Sequence, residues 1–209
     1  MCEEEYILEN EMLQTMREHV FKGKEEYCAY LKILPKYNTY DIKFDAYTLT
    51  MGKTIKGRKT CDNVGTNTTY LYHSHPIMSR SYPSTEDVMK LVKHPRSYKV
   101  SIIATRWGIY TLKNTFKSIA DNKNIDEYLS SRYEEEISNI LQEIGRMENN
   151  KGFVSHRKLT PETMKGEHRV KHYKTFLLPN ELKLIRDQLH KIYRLTSIKL
   201  SFCPWNELF

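Results

Sequence analysis

The sequence predicts an α/β fold: a central mixed β-sheet flanked by helices, followed by a mainly helical C-terminal part. Three observations predict it. Short apolar or alternating runs interleave with helix-period segments up to about residue 115. A strand at 68–72 leads through a short loop into a helix that opens at Ser84. Beyond Thr115 the chain turns into long, charged, helix-period stretches.

Taken in order, residues 8–22 place Met12, Leu13, Met16, His19, Val20 and Phe21 at amphipathic-helix spacing, and Gly23 ends the helix. Residues 26–34 form a short apolar run closed by Pro35, a buried strand. Residues 41–50 alternate Ile42, Phe44 and Ala46 against Lys43 and Asp45, a second strand. Residues 52–65 are rich in Gly, Lys, Thr and Asn and read as a hairpin and loop. The strand at 68–72 runs directly into His73, and 76–83 is a loop. The helix from Ser84 to about Lys93 buries Val88, Leu91 and Val92 and is stopped by Pro95. Residues 99–105 and 108–112 are paired strands turning near Trp107 and Gly108. Then come a charged helix at 125–147, a polar basic stretch at 152–173, an amphipathic helix at 179–195 and a strand at 198–203 that returns to the sheet. There is no internal repeat.

Composition bounds the function. The 209 residues are 39% hydrophobic, 28% charged and 11% aromatic, a globular and not a disordered balance. Net charge is +7 and the pI about 9.1, which admits an acidic partner such as nucleic acid, although the Lys and Arg are scattered as on an ordinary solvated surface. The four cysteines, Cys2, Cys28, Cys61 and Cys203, have no zinc-knuckle or CxxC spacing and are expected as free thiols. With an acidic N-terminus unlike a secretory signal and no membrane-length apolar run, the expectation is an intracellular protein, cytoplasmic or nuclear, without a membrane partner. Oligomeric state is not legible.

The chemistry concentrates in Tyr70-Leu71-Tyr72-His73-Ser74-His75-Pro76, followed by Pro83-Ser84-Thr85-Glu86-Asp87. Histidines at i and i+2 leave a strand on the same side, so their imidazoles can converge. Asp87 sits at the third position of a helix capped by Ser84, and the loop can fold that first turn back over the strand end. Two nitrogens, one oxygen and one open position match a catalytic zinc site better than a structural one. Taken singly the parts say less: a His-x-His is often coincidence, and capping alone accounts for Ser84 and Asp87. Their conjunction at one strand-to-helix junction carries the assignment. His168 and His172, four apart, lack a third ligand nearby and read as surface residues. Trp107 and Trp205 read as core or hairpin packing.

His73-Ser74-His75-Pro76 followed by Ser84-x-x-Asp87 resembles the signature of the JAMM (MPN+) zinc metalloproteases. The family's upstream element, a glutamate opening a strand, is matched by Glu26-Tyr27-Cys28-Ala29-Tyr30-Leu31, with Ala29 where glycine is usual. The loop before Ser84 is one residue longer than the commonest family spacing, and the placement of Asp87 depends on it. The resemblance spans roughly residues 5–115. It implies an MPN (cytidine-deaminase-like) core over residues 1–115, with residues 116–209 a mainly helical basic part packed on it. It also implies a zinc ion on His73, His75 and Asp87, with Glu26 as general base and Ser84 donating to the developing oxyanion. The implied activity is cleavage of isopeptide bonds in ubiquitin or ubiquitin-like conjugates by a zinc-activated water. Residues 52–67 and 76–83 would wall the substrate groove. An inactive scaffold subunit and a nucleic-acid-associated family member are the competing expectations.

Overall fold

A computed structural model describes residues 6–23, 25–36, 39–44, 50–51, 53–55, 58–60, 70–151 and 175–208. The elements in chain order are β1 (Tyr6–Leu8), α1 (Asn10–Phe21), β2 (Tyr27–Lys36), β3 (Thr39–Phe44), β4 (Thr50–Met51), β5 (Lys53–Ile55), β6 (Arg58–Thr60), β7 (Tyr70–Ser74), α2 (Thr85–Lys93), β8 (Val100–Thr105), β9 (Gly108–Lys113), α3 (Phe116–Asp121), α4 (Glu127–Lys151), α5 (Pro179–Thr196) and β10 (Lys199–Pro204). The chain is α/β. Its main sheet has the order β1-β3-β2-β7-β8-β9-β10, with β4 also on β2, while β5 and β6 form a separate hairpin.

The sheet is mixed. β7 and β8 are parallel neighbours, joined by the crossover that contains α2, and β1 lies parallel to β3. The other main-sheet pairs are antiparallel. Every residue of β8 is buried, as expected of a central strand covered on both faces. Its side chains divide by the period of two. Val100, Ile102 and Ala104 join Met12, Met16 and Val20 of α1 and Tyr72 of β7 on one face. Ile103 joins Val88, Leu91, Ile137, Ile144, Ile185 and Ile192 of α2, α4 and α5 on the other. Helices thus cover both faces, and α4 and α5 share one core with the sheet.

Several expectations are corrected. The strand expected to stop before Pro35 continues to Lys36. Pro35 lies past Cys28–Tyr30, the stretch paired with β7, so one side of the strand is outside the ladder there and a missing N–H is tolerated. The three-residue β1 and six-residue α3 were not expected. α3 is a single short helix whose ends are fixed locally: Thr115 and Ser118 cap each other reciprocally. Trp107 and Trp205 are both buried, and Trp205 Nε1 donates to the Thr105 carbonyl at 2.8 Å.

The expected free thiols are not found at Cys28 and Cys203, which are disulfide-bonded. The two stand four strands apart, about 19 Å at ordinary strand spacing, so they do not bond to each other. Sequence spacing rules out local cysteine pairs but does not report tertiary proximity, and the thiol-based reason for a reducing compartment no longer applies. Cys2 and Cys61, the stretch 152–173 with His168 and His172, and most of 52–67 lie outside the described residues. Among the described residues, no helix is long and apolar enough to cross a membrane.

Ile144 of α4 is fully buried in the cluster that joins α2, α4, α5 and the sheet. Ile144→Ala is expected to cost about 2–5 kcal/mol and to shift a single cooperative urea transition. A separate early transition for α4 and α5, with the sheet unaffected, would show that the C-terminal elements are an independent unit.

Candidate metal centre

The site lies where the parallel strand β7 ends and α2 begins. A crossover between parallel neighbours sets a helix N-terminus beside a strand C-terminus, and that helix end carries unsatisfied N–H groups and partial positive charge. Ser84 is the N-cap of α2 and Asp87 its third residue. Asp87 N–H donates to Ser84 Oγ at 3.1 Å, and Ser84 N–H donates to Asp87 Oδ2 at 2.6 Å. The reciprocal pair orients the carboxylate as well as capping the helix.

That carboxylate faces both histidines. His73 Nε2 is 3.2 Å from Asp87 Oδ1, and His75 Nε2 is 3.7 Å from Asp87 Oδ2. The two imidazoles are tilted by 50° with centroids 5.1 Å apart, as same-side residues two apart on a strand should be. The ligand atoms of His73, His75 and Asp87 all lie within 4.8 Å of one another, so this group could hold a metal ion. The His75 side chain is 3% exposed against 12% for His73 and 16% for Asp87, so the group opens to solvent on the His73 and Asp87 side.

Glu26 immediately precedes β2, the strand next to β7. Cys28 pairs with His73 across the β2–β7 ladder, and continuing that register by two residues brings Glu26 opposite His75 on the same face. Ser74, between the histidines, accepts the Tyr27 N–H at 3.0 Å and ties the start of β2 to β7. On the opposite face His19 stacks on Tyr27 at 4.1 Å and shares a 3.0 Å hydrogen bond with the Tyr72 hydroxyl, which fixes the same corner from behind. Burial holds His19 below the ordinary histidine value, so it serves there as a neutral ring.

The electrostatics are strongly coupled. Burial lowers His73, but the charge and hydrogen bond of Asp87, aided by Glu26, outweigh it and leave His73 above its ordinary value. Burial and the neighbouring His73 push His75 down to about 4. Burial opposes ionisation of Asp87, yet the two imidazoles and the Ser84 N–H hold its carboxyl well below the usual carboxylate range. His75 is therefore neutral at pH 7. Its Nδ1 lies 3.2 Å from the Arg80 carbonyl, which can only accept, so the ring proton sits on Nδ1. The Nε2 lone pair then points at a carboxylate oxygen 3.7 Å away.

Residues 76–83, which separate the histidines from the aspartate, are held by contacts with no local sequence signal. Ile77 N–H donates to the Val20 carbonyl at 2.8 Å. Arg106, in the turn between β8 and β9, donates to the carbonyls of Ile77 at 3.0 Å and Ser79 at 2.9 Å. The same guanidinium pairs with Glu148 of α4 at 2.8 Å. Glu148 also accepts from the Ser81 hydroxyl and, at 2.5 Å, from its N–H. Tyr82 packs on α4 at Gly145, where an added Cβ would come within 2.6 Å of the Tyr82 hydroxyl oxygen. Arg106, Glu148 and Gly145 are positioning residues that the sequence did not single out.

No known protein family's sequence pattern matches this chain, and no curated protein matches it. What the site can do therefore rests on its own geometry.

Glu148→Ala would leave the 8% exposed Arg106 guanidinium buried beside a lost partner. The expected destabilisation is about 3–5 kcal/mol in denaturant titration. Because the loop carries the frame of Asp87, metal affinity measured by competition with a chromogenic chelator is expected to fall about 10–100-fold. A variant that melts normally and binds metal normally would remove Glu148 from this role.

Proposed function

We propose that this chain is a zinc-dependent hydrolase of the JAMM type that cleaves amide or isopeptide bonds in conjugates of ubiquitin or a ubiquitin-like protein. The observation that supports the metal assignment is geometric: the ligand atoms of His73, His75 and Asp87 converge within 4.8 Å of one another in a mostly buried group. A donor set of two imidazole nitrogens and one carboxylate suits zinc and leaves a further coordination position, the composition of catalytic rather than structural sites. Arg80 fixes the His75 tautomer so that Nε2 is the ligand atom.

His73, His75 and Asp87 would hold the ion. When bound there, zinc supplies Lewis acidity toward a carbonyl and lowers the pKa of water. The protein's own residues supply the rest. Glu26, which precedes β2 and lies near enough for its charge to act on His73, would accept a proton from the attacking water and return it to the leaving amine, as the resemblance implies. Ser84 Oγ accepts the Asp87 N–H with a lone pair, which leaves its hydroxyl hydrogen to donate to an oxyanion. The anchored 76–83 loop forms a rigid wall beside the opening, suited to the extended tail of a modifier. The isopeptide substrate class and the roles of Glu26 and Ser84 come from the resemblance of the motifs, and the geometry supports the grouping of His73, His75 and Asp87.

Three measurements test this reading. Elemental analysis of protein purified from zinc-supplemented medium is expected to give one zinc per chain, falling to background in His75→Ala. Retained zinc would show that the ligand set is wrong. Incubation with a panel of ubiquitin and ubiquitin-like conjugates is expected to give cleavage that a chelator abolishes. Glu26→Gln should keep its zinc and lose about 10²–10⁴-fold in rate. Chelator-insensitive cleavage, or full activity in Glu26→Gln, would reject the mechanism, and no cleavage of any conjugate would favour a scaffold role.

A further inference from the structure

The last turn of α1 holds the histidine-bearing stretch of the chain at two points. His19 and Val20 are consecutive residues of the helix's buried face. His19 Nδ1 lies 3.0 Å from the Tyr72 hydroxyl, and Tyr72 immediately precedes His73. The Val20 carbonyl accepts the Ile77 N–H at 2.8 Å, two residues beyond His75. The stretch that carries both histidines is therefore held at each end by one turn of one helix.

The contact with Tyr72 belongs to a closed set. The His19 ring stacks on Tyr27 with an interplanar angle of 8°, Tyr27 N–H donates to Ser74 Oγ, and the Ser74 side chain in turn hydrogen-bonds Tyr72. Phe44 of β3 meets the Tyr72 ring edge-on at 4.9 Å. Each strand member is a chain neighbour of a site residue: Tyr27 of Glu26, Tyr72 of His73, and Ser74 of both histidines. Side chains alternate across a strand, so Tyr72 and Ser74 occupy the α1 face while His73 and His75 emerge on the other. Gly23 lets the chain return this tightly: an added Cβ there would collide with the His19 carbonyl and come within 3.3 Å of the Tyr27 ring.

Packing alone does not call for an imidazole here. The neighbouring buried residues of this helix, Met12, Leu13, Met16 and Val20, are apolar, and an apolar ring would stack on Tyr27 without the desolvation of buried nitrogens. What the imidazole adds is a hydrogen bond to a hydroxyl that is itself buried, and such a bond fixes one arrangement where apolar contacts tolerate several.

We propose that His19 is a positioning residue for the metal centre: through its bond to Tyr72 it sets the orientation of β7 at His73, and so the convergence of His73 and His75 on Asp87. The proposal rests on reading His73, His75 and Asp87 as zinc ligands. His19 lies on the opposite face of the sheet from them and acts through Tyr72.

The test is zinc affinity, by competition with a chromogenic chelator, in the full-length chain at a temperature where circular dichroism shows every variant folded. Tyr72→Phe removes one oxygen and keeps the ring, and it is expected to lower zinc affinity about tenfold. His19→Phe, which keeps a ring against Tyr27, should lose as much. The double variant should lose no more than either single one, because all three remove the same bond. His19→Asn keeps a polar atom at the position of Nδ1 and should stay within about threefold of the unsubstituted chain. Unchanged zinc affinity in Tyr72→Phe and His19→Phe, even with lowered melting temperatures, would make the pair a packing element and overturn the proposal while leaving the metal reading in place. Losses that multiply in the double variant, or His19→Asn no better than His19→Phe, would also overturn it. Absence of zinc from the unsubstituted chain would reject the metal reading and this proposal with it.

Discussion

The hydrogen-bond exchange between Ser84 and Asp87 joins the fold to the site. In an ordinary helix start it would satisfy orphan N–H groups and no more. Here the capping carboxylate also faces His73 and His75. One side chain therefore fixes the N-terminus of α2, the direction of the crossover from β7 to β8, and the third vertex of the polar group. Any shift of α2 along the sheet would misplace Asp87, and loss of the Asp87 side chain would remove one of the two capping bonds, leaving Ser84 Oγ on the backbone N–H of residue 87. Local stability and site geometry are coupled through two bonds.

That coupling needs the intervening loop to be held, and the support comes from distant parts of the chain. Val20 of α1, Arg106 of the β8–β9 turn and Glu148 of α4 all contact residues 76–83. Arg106 and Glu148 form a buried ion pair, which by itself is weak evidence of stabilisation. Its geometry points to positioning instead. The guanidinium satisfies two loop carbonyls, and the carboxylate satisfies the N–H and hydroxyl of one loop serine, so the polar groups of an irregular segment are satisfied below the surface. The C-terminal helices are thus part of the frame of the site.

What the sequence made legible is what local chemistry determines. A period of two placed His73 and His75 on one side of a strand, and a capping pattern placed Asp87 in the first turn of α2; both depend on residues a few positions apart. The length of most elements also followed from periodicity and breakers, as in α2 and α5. What it hid was determined by tertiary proximity. Arg106 and Glu148 are 42 residues apart and belong to segments with no shared signal. His19 reads as one more member of an apolar helix face, and only the packing of α1 on β2 and β7 shows it stacked on Tyr27. Cysteine spacing gave no hint that Cys28 and Cys203 each take part in a disulfide. Pro35 misled because the rule that proline ends a strand assumes pairing on both sides, and at that point, among the described residues, β2 is paired with β3 alone.

The energetics of the polar group bear on why it is there. Three ionisable side chains lie mostly buried where β7 ends and α2 begins, and desolvation opposes the charged form of each. Apolar residues of similar volume would pack there at lower cost, as replacements of buried charge clusters generally do. Capping α2 does not require the histidines, since Ser84 and Asp87 accomplish it between themselves. Nor do the histidines satisfy Asp87 well: His73 makes a 3.2 Å contact, whereas His75 presents a lone pair at 3.7 Å. An arrangement that is costly to bury, unnecessary for the helix cap and electrostatically incomplete as a hydrogen-bond network is poorly explained by stability. A cation held by the three converging ligand atoms would offset the desolvation cost, which is the physical ground for the proposed metal centre.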